Sequence, residues 1–203
     1  MPKVLPEYLE LRKQQLLNAA AACFARRGFH QTTMQDICDE ASLSPGAVYR
    51  YFRSKEEMIE AMCVRGHSED SASIAKAMAQ PDTLAIIDEL LRVFFSETED
   101  SELCALSVEL VSEARHNDFI RDSLRRSWDQ VRTPLAAIIG RAQARGEIAP
   151  ELDPQSVARV MMALHSGLVQ QRLAEPDTDV VAYTAAVRSL LHGAFWRGSE
   201  RPA

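Results

Sequence analysis

Between Gly28 and Glu57 four helix-boundary signals stand so close together that only short helices and tight turns fit between them. Gly28 follows a long apolar-periodic stretch and suits the left-handed position just past a helix end, with Phe29 placed to pack back on that helix. Thr33-Met34-Gln35-Asp36 sets a hydroxyl at an N-cap and a carboxylate three residues on, the reciprocal arrangement of a capping box. Ser44-Pro45-Gly46 offers another N-cap, then a proline at the first helical position, where the missing N–H costs nothing. Ser54-Lys55-Glu56-Glu57 is a further start of the capping-box kind. These marks and the 3.6-residue periodicity predict a first helix over Pro6–Arg27, with Leu9, Leu16, Ala20, Cys23 and Phe24 on one face. A second starts at Thr33 on the stripe Met34, Ile37, Cys38 and Ala41, and a third covers Pro45 to about Phe52. A fourth runs from Ser54 and is expected to weaken in the small, polar stretch Ser68 to Ser73.

The remainder predicts five more helices. One opens at Pro81 and ends near Glu97, one covers about Ser101 to His116, and a long one runs from about Asp118 to Gly146 with Pro134 expected to kink it. The last two span Pro154 to about Ala174 and Thr178 to Trp196. No run alternates in the manner of a strand, and Ala, Leu, Glu, Arg and Gln dominate. The fold class is therefore all-α, about nine helices. A boundary is expected after residue 53, separating a three-helix unit (1–53) from a helical bundle (54–203).

With 46% hydrophobic and 26% charged residues the chain affords a packed core, which argues against disorder. The N-terminal residues lack the apolar stretch of a signal peptide, and runs such as Pro134 to Ile139 are too short to span a bilayer. A cytoplasmic protein without membrane contact is expected. Cys23, Cys38, Cys63 and Cys104 sit far apart with no C-x-x-C, so they read as small buried hydrophobes rather than a redox or metal sensor. The formal net charge is −6, but acidic and basic residues balance over 1–60, so the whole excess falls on 61–203. Arg50, Arg53 and Lys55 cluster within the neutral part, where charge permits contact with nucleic acid.

Thr33 to Lys55 carries the chemistry. Two short helices on a tight turn, preceded by a long one, form the tri-helical unit whose later helix enters a DNA major groove. Gly46 and Ala47 present almost no side chain, so the backbone there can approach a duplex closely. Arg50 lies outward and can reach guanine with two hydrogen bonds, and Tyr49 can reach a phosphate. Thr33 and Ser54-Lys55 lie at helix N-termini, where free N–H groups favour an anion. The same residues also have plain structural uses, as caps, core aromatics and solvated charges; their joint spacing carries the argument.

From Thr33-Met34-Gln35-Asp36-Ile37 through Ala41-Ser42-Leu43-Ser44-Pro45-Gly46-Ala47-Val48-Tyr49-Arg50-Tyr51-Phe52-Arg53-Ser54-Lys55-Glu56-Glu57-Met58, the chain closely resembles the DNA-binding signature of the tetracycline-repressor (TetR) family. Ala19-Ala20 through Phe24 and Gly28-Phe29 match its first helix, so the likeness covers about residues 10–60. Ser42 departs from it, standing where many members carry glycine. The resemblance implies that Thr33, Tyr49, Tyr51 and Lys55 touch phosphates while Ser44, Gly46, Ala47 and Arg50 face the groove. It also implies a homodimer on a near-palindromic, double-stranded operator, released when a small molecule binds the second domain. No cofactor or metal is implied. Candidate pocket residues are Phe94, Phe95, Leu106, Glu109, Leu110, Trp128, Met161, Met162 and His165, apolar groups with a few polar ones to orient a ligand. Candidate dimer faces are Leu164, Gly167, Leu168 and Gln171, with Ala186, Leu190, Gly193 and Ala194.

An enzyme is not expected, for the chain has no Gly-rich phosphate loop, no H-E-x-x-H and no G-x-S-x-G. The five histidines lack carboxylate or cysteine partners at metal-ligand spacing. Competing readings are a ligand-independent DNA-binding protein, which leaves the net-acidic remainder of about 140 residues without a purpose, and a small-molecule binder with an inactive reader. The identity of the inducer, the operator sequence and the regulated genes are not written in the sequence.

Overall fold

A computed structural model describes residues 6–78, 80, 82–96, 98, 101–191 and 193. Among these residues the secondary structure is helical, with no strand. The helices are α1 (Pro6–Arg27), α2 (Met34–Glu40), α3 (Pro45–Val48), α4 (Lys55–Ala77), α5 (Thr83–Ser96), α6 (Ser101–Glu113), α7 (Asp118–Ala144), α8 (Pro154–Ala174) and α9 (Val180–Leu191).

The boundary signals act as expected. Gly28 takes φ +78° after α1, the left-handed conformation that a side chain resists. Thr33 caps α2: its hydroxyl accepts the Asp36 N–H at 3.1 Å, and the Asp36 carboxylate accepts the Thr33 N–H at 2.8 Å. At α4 the Ser54 hydroxyl accepts the Glu57 N–H at 3.3 Å while the Glu57 carboxylate accepts that of Arg53 at 2.6 Å. At α7 and α8 the Asn117 and Asp153 side chains accept the Ile120 and Ser156 N–H groups.

Two expectations need correction. The third helix stops at Val48 and continues as turns to Tyr51, with Val48 and Phe52 both buried in the core. The fourth runs unbroken through residues 68–73, since neither Ser nor Asp costs a helix enough to interrupt it. Pro134 lies within a continuous α7.

The chain divides into two compact units, Met1–Ser68 with Glu102–Asp129, and Glu69–Ser101 with Gln130–Ala203. The first holds α1 to α3, the start of α4, α6 and the first part of α7. One cluster unites it: Leu16, Ala20, Phe24, Ile37, Val48, Met58 and Ile59 from the N-terminal helices, with Leu106, Leu110, Ile120 and Leu124 from α6 and α7. The second unit is built on two clusters. Ile74, Ile86, Leu90, Leu135 and Ile138 form one; Ile87, Leu91, Phe95, Ile139, Met161, Leu168, Val180 and Val187 form the other. No helix of the described residues is long and apolar enough to cross a membrane.

Candidate nucleic-acid interface

The first unit presents α3 on a rigid frame. Val48 and Phe52 are buried, so the outward positions of the same short segment are fixed in direction. Ser44, Gly46, Tyr49 and Arg50 are exposed and Ala47 is half-exposed. Tyr51 is half-buried against the core cluster. The Ser44 hydroxyl makes no cap bond with α3. A Cβ added at Gly46 would meet nothing within 4 Å, so the fold leaves that face open. Among the described residues the Arg50 guanidinium enters no hydrogen bond or ion pair of the chain.

Three cations nearby have partners within the chain. Arg26 is paired with Glu40 and Arg27 with Asp36, and these pairs line a polar hollow of about 290 Å³ together with Cys23 and Asp39. Hydrogen bonds from the Thr33 hydroxyl and amide, helped by Arg27, hold the Asp36 carboxyl below the usual carboxylate range. The same bonds favour the ionised carboxylate, the form that caps α2. Lys55 is half-buried: its ammonium donates to the Phe29 carbonyl at 2.6 Å and lies over the Phe29 ring, 4.4 Å from the centroid. That uses one of its three hydrogens and leaves two for a phosphate. Burial pushes the thiols of Cys23, Cys38 and Cys63 up, which makes them poor nucleophiles. Ser42 closes the turn before α3 at φ +53°, the left-handed region in which its Cβ is strained.

The structure divides the nine candidate pocket residues. Phe94, Phe95 and His165 meet as rings, with centroids 6.5 and 6.4 Å from the imidazole. Met161 packs in the cluster of Phe95 and Met162 against that of Phe94. Burial lowers the His165 pKa, an effect partly offset by its bond to the Phe94 backbone, and so favours the neutral ring. Leu106, Glu109, Leu110 and Trp128 belong to the other unit. Leu106 and Leu110 are there because the apolar stripe of α6 faces the core beneath α1, and Trp128 is 46% exposed. Glu109 accepts the Phe29 N–H at 2.8 Å. Its polar character amid apolar neighbours suggests a ligand contact in the sequence; its partner is a backbone amide 80 positions earlier.

Of the candidate dimer residues, Leu168 is fully buried in the chain's own cluster and so is not offered to a partner. Gln171, Ala186, Leu190 and Gly193 are exposed, and Leu164 and Gly167 half-exposed. Nothing lies within 4 Å of a Cβ built on Gly167. Val160, 61% exposed, extends the outward face of α8 that carries Leu164, Gly167 and Gln171. Ala194 lies outside the described residues.

Comparison with known proteins agrees with this geometry. A family model described as bacterial regulatory proteins of the tetR family matches residues 16–62. A second, for the C-terminal region of BetI-type transcriptional repressors, matches residues 84–195, more than half of the chain. The HTH-type transcriptional regulator UidR of Escherichia coli (strain K12) is 25% identical over 182 residues, covering 89% of this chain and 91% of UidR. Among solved structures, Salmonella enterica GusR superposes with a TM-score of 0.78 at 28% identity, over 95% of this chain and 98% of GusR. The transcriptional regulator FadR from Bacillus subtilis in complex with stearoyl-CoA shares the fold, at TM-score 0.78 and 19% identity over 88% of this chain and 96% of FadR.

Proposed function

We propose that this chain, which belongs to the TetR family of bacterial regulatory proteins and is a helix-turn-helix transcriptional regulator, is a repressor that works as a homodimer on a near-palindromic operator and lets go when a small molecule enters its second unit. The observation that carries the reading is the open face of α3. Among the described residues the Ser44 and Arg50 side chains are exposed without a hydrogen-bond partner in the chain, Gly46 is exposed between them and Val48 is buried beneath, which supports a groove-reading role.

In this reading Arg50 supplies base discrimination, Ser44, Gly46 and Ala47 allow close approach, and Thr33, Tyr49, Tyr51 and Lys55 hold phosphates. Leu164, Gly167 and Gln171 of α8 and Ala186, Leu190 and Gly193 beyond and along α9 pair with their copies. Phe94, Phe95, Met161, Met162 and His165 line the ligand site. Two readers must meet successive major grooves about 34–36 Å apart. A ligand that favours another spacing releases the operator by that differential affinity alone. The cytoplasm is where such a regulator meets its operator.

The test is selection from the fragmented source genome at about physiological salt, followed by sequencing of what the purified chain retains. One or a few near-palindromic sites are expected. Retention without a shared site would leave the rival reading, a general DNA binder.

A further inference from the structure

The turn between α1 and α2 is held from outside the three reading helices. Both polar groups of the Phe29 backbone are taken by side chains of later helices: the Glu109 carboxylate of α6 accepts its N–H at 2.8 Å, and the Lys55 ammonium of α4 donates to its carbonyl at 2.6 Å. One helical turn beyond Glu109, Glu113 places Oε2 2.8 Å from His30 Nε2. Glu113 is only 4% exposed, and its Oε1 has no hydrogen-bond partner among the described residues. A buried carboxylate in this state is costly unless its one contact is needed. Gly28 completes the arrangement. A Cβ there would stand 2.9 Å from Glu109 Oε1, so the carboxylate can lie flat against the turn only because the residue is glycine.

We propose that Glu109 and Glu113 are positioning residues for operator reading: a two-carboxylate clamp on Phe29 and His30 that fixes the reading helices to α6. The proposal rests on the operator reading above and names the element that sets the reader's orientation. A neutral cap would satisfy the Phe29 N–H equally well. Two carboxylates spaced one turn apart on a single helix instead resist rotation of the turn about either contact. Through Asn117 α6 leads directly into α7, a helix of 27 residues that begins at Asp118 and continues beyond the first unit. The clamp therefore lets the reader follow α6 rather than pivot on its own turn.

Two measurements on the full-length chain test it. Hydrogen exchange at the Phe29 amide is expected to speed up about tenfold or more in Glu109→Ala, and to stay near wild type in Glu109→Gln, which keeps the acceptor. Operator binding is then measured on a duplex recovered by the genomic selection, and on the same duplex with one base pair inserted between its half-sites. The insertion turns one half-site by about 34° relative to the other. The wild type is expected to lose about tenfold or more in affinity on insertion, and Glu109→Ala and Glu113→Ala less than about threefold. A clamp that only stabilised the fold would lower the melting temperature and leave the spacing preference intact. Unchanged Phe29 exchange, or a full insertion penalty in folded variants, overturns the proposal while the operator reading stands. Failure to recover any operator overturns the reading, and the proposal with it.

Discussion

The reading unit and the α8–α9 region use the same kinds of residue to opposite effect. In the reader, each outward side chain is fixed by a neighbour that must be inside: Val48 and Phe52 are buried, so Ser44, Gly46, Tyr49 and Arg50 point out. In α8 and α9, apolar residues occupy both the inward and the outward face. Leu168 is fully buried and Leu190 is 46% exposed, though both are leucines at helical spacing. Caps and turns fix direction locally, whereas an apolar face facing a partner copy looks like an apolar face facing the core.

The largest expected effect breaks that ambiguity. Leu168→Ala should cost about 3 kcal/mol of chain stability in urea unfolding, the range for emptying a buried leucine site. Its effect on dimer dissociation, by sedimentation at sub-micromolar concentrations, should be small for the chain that remains folded. Leu190→Ala should do the reverse: chain stability within about 0.5 kcal/mol, and dimer dissociation promoted roughly tenfold or more. If both variants act only on stability, the α9 face is not the contact.

The reader is open to a finer probe. Arg50→Ala should remove about 1–3 kcal/mol of discrimination at one base position in each half-site, with affinity for unrelated duplexes nearly unchanged. Competition binding with a panel of single-base operator variants measures this. An equal loss on every sequence would assign Arg50 to phosphate instead.

Much of the reader is legible in the sequence because its signals are stereochemical. Thr33 and Asp36 can satisfy each other at only one spacing, and Gly28 sits where a left-handed residue is required. The clamp is not legible there. Glu109 and Phe29 lie 80 positions apart, and no periodicity links a carboxylate on one helix to an amide in a distant turn. The division of the pocket candidates is hidden for a related reason. The stripe of α6 is apolar whichever core it faces, and only packing assigns Leu106 and Leu110 to the cluster beneath α1.

A smaller effect compares a cap with a contact. Thr33→Ala should lower stability by about 1 kcal/mol through loss of the α2 cap. It also frees Asp36 from the bonds that hold its carboxyl low, so the Asp36 pKa should rise when followed by NMR titration. Thr33→Ser should restore both. If serine restores stability but not operator affinity, the threonine methyl group contributes at the DNA; if neither returns, the cap geometry needs the β-branch.

The smallest effect concerns Ser42, in the turn before α3. Ser42 holds φ +53°, a conformation costing an L residue about 1 kcal/mol or more, and its backbone N–H still bonds the Asp39 carbonyl at 3.1 Å. Ser42→Gly removes the Cβ strain but adds freedom to the unfolded chain, and the second term offsets much of the first. The net gain expected in urea unfolding is therefore at most about 1 kcal/mol. Because α3 follows within three residues, the turn also sets the entry angle of the reading helix. Unchanged operator affinity in the stabilised variant would mean that the strain is incidental to reading. A more stable chain that binds the operator less tightly would mean that the serine holds α3 at an angle the glycine turn relaxes, and that the reader retains the strain for function.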